Sequence, residues 1–488
     1  MRFCYYKLVN DLCKSLVEAV SYILGSGDTS LWSVCTEAVT TIENTLSVNR
    51  DTVGSERLFS LCGEIKENVS LCETGNDKGQ ALIDGLTELI PLCRDELNYR
   101  LRVLFVADLG GKWDSMDSVY RAFKERGDCD IDVVIQPIFR QKTDPDGTTR
   151  REVICDDYLT PMGIKNIPYQ EYDMEKIAPD MTFISQPYES VTIPMFWPEN
   201  IAKVSRLVYL PYYNATTLDT KISPAFESFF VSNTQKYSWK IACQSEIMKK
   251  YYEKYASEKG KNVIVTGLPK WDYPLKLNKS NTPCPEKWRK KIEGKKVFLW
   301  NTHFNPSTQG ISILDQGIDF LRLFSENKSV ALIWRPHPMM ETVIKVYYPQ
   351  KLSSYKKIIK FISDSNNLII DKNSTYDCSF VWSDALISDD SSIVDLYLLL
   401  DKPIILTSSL NQIQTKNKYY TDDGLFDYLK LPWACSMNDI QKYINDVVNG
   451  NDISKENREI LRNNYYSLAD EKCGERVANY LINGILSE

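Results

Sequence analysis

From residue 3 to about residue 97, apolar side chains return every three or four positions, the spacing that lines one face of an α-helix. Leu8, Leu12, Leu16 and Val20 form one stripe, and Trp32, Cys35, Val39, Ile42 and Leu46 the next. Leu58, Cys62, Ile65 and Val69 follow, then Leu82, Leu86, Leu89 and Cys93, with the polar, glycine-containing segment Glu73–Gly79 between them. About four amphipathic helices are predicted, with their stripes packed into a small helical core. The competing reading is a groove for a protein partner.

The period changes at Leu101–Ala107, a short apolar run that ends in Asp108-Leu-Gly-Gly111 and leads into a helical stretch from Met116 to Lys124. Such a run followed by turn residues reads as a strand, a turn and a helix. Further strands are expected at Ile131–Ile135, Met181–Ser185, Arg206–Leu210 and Phe229–Val231, and Arg140–Asp157 reads as an exposed loop, idle or facing an acceptor. A second series comprises Asn262–Thr266, Lys296–Trp300, Val330–Trp334, Asn367–Ile370, Ala385–Ile387 and Pro403–Leu406, with helices such as Leu314–Phe324 and Ser392–Leu400 between them. Short buried strands alternating with helices predict an α/β protein with two Rossmann-like, doubly wound parallel sheets. The expected domains are a helical 1–98, a first α/β domain 99–240 and a second 241–488, whose last helix is free to pack back on the first. Ligands are expected beyond the carboxyl ends of the strands.

Composition narrows the field. The chain has 488 residues, more than one core usually serves, and is 43% hydrophobic and 25% charged, an ordinary globular balance. A formal net charge of -7 gives no basic field for nucleic acid, so an anionic ligand must be held locally. Thirteen cysteines without a C-x-x-C pair fit reduced thiols and a cytoplasmic location. With only two histidines, no structural zinc site is expected. The N-terminus lacks the apolar core of a signal peptide, and no run approaches the roughly 20 apolar residues of a membrane span, so any membrane contact is expected to be peripheral.

The candidate chemistry gathers at predicted strand ends. Ser388-Asp389-Asp390-Ser391-Ser392 joins a strand to a helix, where free N–H groups, two hydroxyls and the positive end of a helix dipole suit a phosphate; a plain N-cap is the alternative. Trp334-Arg-Pro-His-Pro338 follows another strand, and its prolines stiffen the loop that carries Arg335 and His337, a forked phosphate donor and a proton or hydrogen-bond donor. His303, next to Thr302, follows a third strand, so both histidines are expected to face one cleft. Thr266-Gly-Leu-Pro-Lys-Trp-Asp272 supplies Gly267, Lys270 and Asp272 in a turn. No P-loop, dinucleotide fingerprint, serine-hydrolase elbow or zincin motif is present.

Three segments taken together resemble the CDP-glycerol glycerophosphotransferase family of teichoic-acid-type polymerases and primases. They are the Thr266–Asp272 turn, Arg335-Pro-His-Pro338, and Ser383–Asp395 with Lys402-Pro-Ile-Ile405 after it. The likeness covers roughly residues 200–410. It implies a glycosyltransferase-B-like fold with no obligatory metal or cofactor, and transfer of glycerol phosphate or a related polyol phosphate from a CDP-linked donor to a hydroxyl acceptor, free or lipid-linked, with CMP leaving. It implies that Arg335 and His337 neutralise the donor diphosphate while Ser391 and Ser392 bind it at the helix end; Asp389 beside them is expected as a further substrate contact. Where the family carries Trp-His-Gly with its proposed base, this chain reads Val208–Asn214 without histidine, and Asp390 stands where an aromatic residue is common. His303 is therefore expected as a second phosphate ligand or the replacement base, Asp114 as a further candidate for the base, and Tyr212 as an acceptor contact. A nucleotide-sugar glycosyltransferase or epimerase, or a non-catalytic homologue, is the alternative.

Overall fold

The computed structural model describes residues 1–50, 56–97, 99–143, 148–213, 230–303, 313–389, 391–407 and 431–487. These fall into two compact units: residues 1–104 with 126–132 and 178–181, and the remainder.

Four helices dominate the first unit: α1 (Phe3–Ser26), α2 (Trp32–Val48), α3 (Glu56–Glu73) and α4 (Gly79–Glu96). The stripes expected on α2, α3 and α4 are buried as read, and they meet in one core. On α1 the buried stripe is Val9, Cys13, Leu16, Val20 and Ile23, while Leu8 is exposed. Leu8 and Leu12 shared a face with Leu16 by spacing alone, but α1 is apolar over more than one face, so the packing partners chose. The helix stops at Gly27, whose φ of 74° closes a left-handed cap.

Two sheets follow. The first runs β5 (Ile167–Pro168), β2 (Cys129–Ile135), β1 (Leu101–Ala107), β6 (Met181–Ile184), β7 (Arg206–Tyr209), β8 (Lys240–Cys243) and β9 (Val263–Val265) in that spatial order. The second runs β12 (Leu368–Ile370), β11 (Val330–Pro336), β10 (Lys296–Thr302), β13 (Ala385–Ser388), β14 (Ile404–Thr407) and β15 (Trp433–Ala434), parallel throughout. Val297–Trp300 and Val330–Trp334 are buried because helices cover both faces of a parallel sheet. Trp300 lies 4.1 Å from Phe320 and 5.8 Å from Trp334, ring centre to ring centre, and these large side chains anchor the core beneath the strand ends.

Several expectations change. The strand at Asn262–Thr266 belongs to the edge of the first sheet, not to the second, so the second sheet begins at Lys296. Nothing local to a short apolar run says which sheet it will join. Phe230 and Val231 are helical rather than extended, Phe229 lies outside the described residues, and the strand of that region is Lys240–Cys243. The loop expected at Arg140–Asp157 contains an antiparallel hairpin, β3 (Ile138–Thr143) with β4 (Thr149–Ile154). The last helix, Cys473–Ser487, packs on the turn after β9, and its Gly474 sits so close to Ser118 that a Cβ there would lie 2.4 Å from the Ser118 carbonyl carbon. Among the described residues no helix is long and apolar enough to cross a membrane.

Candidate functional site

In each sheet the chain leaves one strand, builds to one side, and returns to build on the other. The crevice at that reversal is where open α/β sheets bind ligands. In the second sheet the reversal lies between β10 and β13, in the first between β1 and β6.

Parallel register then decides what gathers at the second reversal. Asn301 pairs with Arg335 on one side and Ser388 on the other, and Thr302 pairs with Pro336. His303 and His337 each follow one residue later, on adjacent strands, with ring centres 6.5 Å apart. The Nδ1 of His337 accepts the Met339 N–H at 3.1 Å, so in the neutral ring the proton sits on Nε2. The surrounding protein and the neighbouring His303 lower the His337 pKa even though the ring keeps an exposed edge.

Arg335 is held. Its Nη1 donates to Asp371 Oδ2 at 2.7 Å, the same oxygen that accepts from Ser379 Oγ, while the Asn373 N–H reaches Oδ1 at 3.0 Å. The Asp371 side chain is fully buried and that of Arg335 is 13% exposed, so the guanidinium is fixed with one edge toward solvent. Ser391 occupies the N-cap of the helix Ser392–Tyr397 without a capping bond. Its hydroxyl instead accepts from Asn301 Nδ2 at 2.8 Å, and the same amide reaches Ser388 Oγ at 3.0 Å. The first helical N–H groups are thus not met by their own N-cap side chain. Ser392 is exposed at the first helical position, and Asp390 lies outside the described residues.

Asp389 and Thr302, both named from the sequence, bond within the protein. Asp389 is buried; its Oδ2 accepts the His303 N–H at 2.9 Å and its Oδ1 accepts from Thr407 Oγ1 at 2.6 Å. Its charge thus fixes the His303 backbone instead of facing a phosphate. Thr302 is buried and accepts from Trp334 Nε1 at 3.1 Å, a bond that braces β10 against β11.

The turn after β9 divides similarly. Asp272 is 1% exposed, and its two oxygens accept the N–H groups of Cys473 (3.0 Å) and Gly474 (2.8 Å), capping a helix 201 residues away. Gly267, with φ of 75°, lies under Cys473, where a Cβ would come within 2.6 Å of the sulfur. Both anchor the last helix. Lys270 points elsewhere: its Nζ lies 3.4 Å from Asp114 Oδ2.

Asp114 belongs to the turn after β1, at the reversal of the first sheet. Its Oδ2 also accepts the Tyr376 hydroxyl at 3.4 Å, and its Oδ1 is buried with no hydrogen-bond partner among the described residues. Burial raises its pKa, against the pull of Lys270 and Tyr376. In the same turn Lys112 pairs with Asp108 at 3.3 Å and lies 4.3 Å from the centre of the Tyr212 ring, which explains where Tyr212 sits. Burial lowers the Lys112 pKa and raises that of Asp108.

Asp371, Asn301 and Tyr376 were not singled out by sequence. Asp371 directly follows a strand and so carried the same positional signal as His303; Asn301 lies inside a strand and Tyr376 before a helix, where no local pattern marks them. Lys402 of the Lys-Pro-Ile-Ile segment donates to the carbonyls of Phe380 (2.6 Å) and Ser383 (2.7 Å), closing the helix Asp377–Trp382, and burial brings its pKa down to about 8.

A curated relative, the teichoic acid poly(ribitol-phosphate) polymerase of Bacillus spizizenii (strain ATCC 23059 / NRRL B-14472 / W23), is 24% identical over 298 residues, 59% of this chain and 45% of the relative. The chain thus spans less than half of that relative's length. Among solved structures, the wall teichoic acid polymerase TagF soaked with CDPG superposes with a TM-score of 0.50 at 13% identity, covering 93% of this chain and 98% of that one. The UDP-GlcNAc 2-epimerase of Neisseria meningitidis bound to UDP-GlcNAc gives 0.51 at 14% identity, covering 78% and 100%. These likenesses show a glycosyltransferase-B-like fold. The family described as CDP-Glycerol:Poly(glycerophosphate) glycerophosphotransferase matches residues 187–483, well over half of the chain, and to this family the chain belongs.

Proposed function

We propose that the chain transfers glycerol phosphate, or a related polyol phosphate, from a CDP-linked donor to a hydroxyl acceptor in cell-surface polymer synthesis, releasing CMP. The observation that carries the reading is the cluster of Arg335, His337, His303 and Ser391 at the reversal of the second sheet, inside the region the family matches. The braced Arg335 and the Nε2–H of His337 suit the two phosphates of the donor, and Ser391 with the open helix start suits their remaining oxygens. Two acids near the cluster are engaged within the protein: Asp389 accepts from the His303 N–H and the Thr407 hydroxyl, and Asp371 is paired with Arg335.

In this reading the acceptor oxygen attacks the donor's distal phosphorus, a P–O bond forms, and the P–O bond to CMP breaks with its electron pair on the departing phosphate. Arg335 and His337 stabilise the charge that grows there, and because they are held in place beforehand they need no reorganisation during the step. We further propose a cytoplasmic enzyme that meets a lipid-linked acceptor at the inner membrane face.

The test is product analysis. Incubation with CDP-glycerol should give CMP and a glycerol-phosphate adduct, both lost in His337→Ala. A second reading, glycosyl transfer or epimerisation of a nucleotide sugar, draws on the fold shared with the UDP-GlcNAc 2-epimerase. It predicts a nucleoside diphosphate or an epimerised sugar instead, and binding without any turnover would mark a non-catalytic homologue.

A further inference from the structure

We propose that Asp114 takes the proton from the acceptor hydroxyl, and that the segment Asp371–Tyr376 positions both this carboxylate and the donor-side Arg335. The inference rests on the phosphotransfer reading above and names the base which that reading leaves open.

Three independent observations converge on it. First, Asp114 stands beyond the carboxyl end of β1, at the reversal of the first sheet, the counterpart of His303 at the reversal of the second. Second, its two oxygens are treated differently. Oδ2 is clamped between Lys270 Nζ and the Tyr376 hydroxyl, each at 3.4 Å, whereas Oδ1 has no partner among the described residues. An unmet buried carboxylate oxygen is costly, and an arriving hydroxyl relieves that cost by donating to it. Third, Asp114 borders a cleft of about 300 Å³ together with Asp117, Arg121, Tyr273 and Lys276, which leaves room for a polyol beside it.

The groups around the carboxylate tune it in opposite directions. Burial favours its protonated form and so makes the carboxylate a stronger base, while Lys270, the Tyr376 hydroxyl and the Ser115 backbone N–H keep it ionised. Tyr158 and Tyr273 also face it; the Tyr273 hydroxyl donates to Asp377 at 2.7 Å, and burial raises the pKa of both phenols and of Tyr376. All three stay neutral at physiological pH.

Tyr376 lies in the connection after β12, at the N-cap of the helix Asp377–Trp382 and five residues after Asp371, which fixes Arg335. One short segment therefore touches the donor cation at one end and the proposed base at the other. In the step, the acceptor O–H bond breaks as its oxygen bonds to phosphorus, the proton passes to Oδ1, and the electron pair of the breaking P–O bond leaves with CMP. Tyr376 and Lys270 are positioning residues that touch only the carboxylate.

The test measures CMP release from CDP-glycerol with oligo(glycerol phosphate) as the hydroxyl acceptor, alongside calorimetric binding of the donor. Asp114→Asn should lower kcat by about 10²–10⁴-fold, while donor affinity stays within about threefold of the wild type, which also shows that the variant is folded. Formate should restore part of the rate to Asp114→Ala. Tyr376→Phe should lower kcat rather than raise KM for the donor. Because its hydroxyl holds the Asp114 pKa down, the acid limb of the kcat profile should move to higher pH in that variant. Unchanged kcat in Asp114→Asn, or an unmoved acid limb together with no formate rescue, overturns the inference and leaves the phosphotransfer reading standing. No CMP release by the wild type refutes that reading and the inference with it.

Discussion

Asp371→Asn isolates the brace under Arg335. Three donors converge on the Asp371 carboxylate, and the side chain has no exposure. The amide of asparagine keeps the shape but loses the charge, and one of its two ends presents N–H where a donor already points. Losing one charge-assisted bond costs about 1.5–3 kcal/mol, and a fully buried ion left unpaired costs about 3–5 kcal/mol. Arg335 keeps a 13% exposed edge, so a value near 2–3 kcal/mol is expected for the variant. At about 2–4 °C per kcal/mol for domains of this size, the midpoint of thermal unfolding should fall by about 4–12 °C. An Arg335 free to leave its position should also weaken donor binding by about 10–30-fold, at 1.4 kcal/mol per decade. The deciding assay is calorimetry with CDP-glycerol on wild type, Asp371→Asn, Arg335→Ala and the double variant. If Asp371 acts through Arg335, the aspartate change costs no further affinity once the arginine is gone. Additive losses would refute the brace.

Other expectations follow from the same contacts. Asp272→Ala orphans two buried N–H groups at the start of the last helix and should cost about 2–4 kcal/mol in thermal unfolding while donor affinity is unchanged; lost affinity at an unchanged midpoint would return Asp272 to the ligand site. Asn301→Ala frees the hydroxyls of Ser388 and Ser391 and should weaken binding of CDP about 5–10-fold, the loss of one to two ordinary hydrogen bonds, with little effect on cytidine alone. Because burial and His303 hold the His337 pKa below its ordinary value, folding carries a penalty that grows as pH falls through about 6.5. A bound diphosphate reverses that preference, so donor binding near pH 7 should take up a proton, read by calorimetry in buffers of different ionisation enthalpy. The uptake should vanish in His337→Gln, and its absence from the wild type would show that His337 binds only as a neutral donor.

What was legible in the chain was local. The 3.6-residue stripes of α2, α3 and α4, the apolar strands of the second sheet, and the placing of Arg335, His337, His303 and Ser391 at the carboxyl ends of those strands all follow from short-range pattern. What was not legible depended on partners distant in sequence. Asp272 looked like a ligand contact because a turn with lysine and aspartate resembles one, and only the arrival of Cys473 and Gly474 gives it another task. Asp389 and Thr302 sat in the right place but turn inward, a choice made by the neighbouring strands. The strand Val263–Val265 carries nothing that distinguishes one parallel sheet from the other. Tyr376 became visible only when its hydroxyl met Asp114, 262 positions earlier.

The central claim is that the cluster at the reversal of the second sheet holds a CDP-linked donor. It is tested most directly by calorimetric binding of CDP-glycerol, CDP, CMP and UDP-sugars to the wild type and to His337→Ala. The account predicts cytidine-selective binding of CDP-glycerol that the substitution abolishes or weakens severely. Selective binding of a UDP-sugar, or equal binding by both proteins, would contradict it.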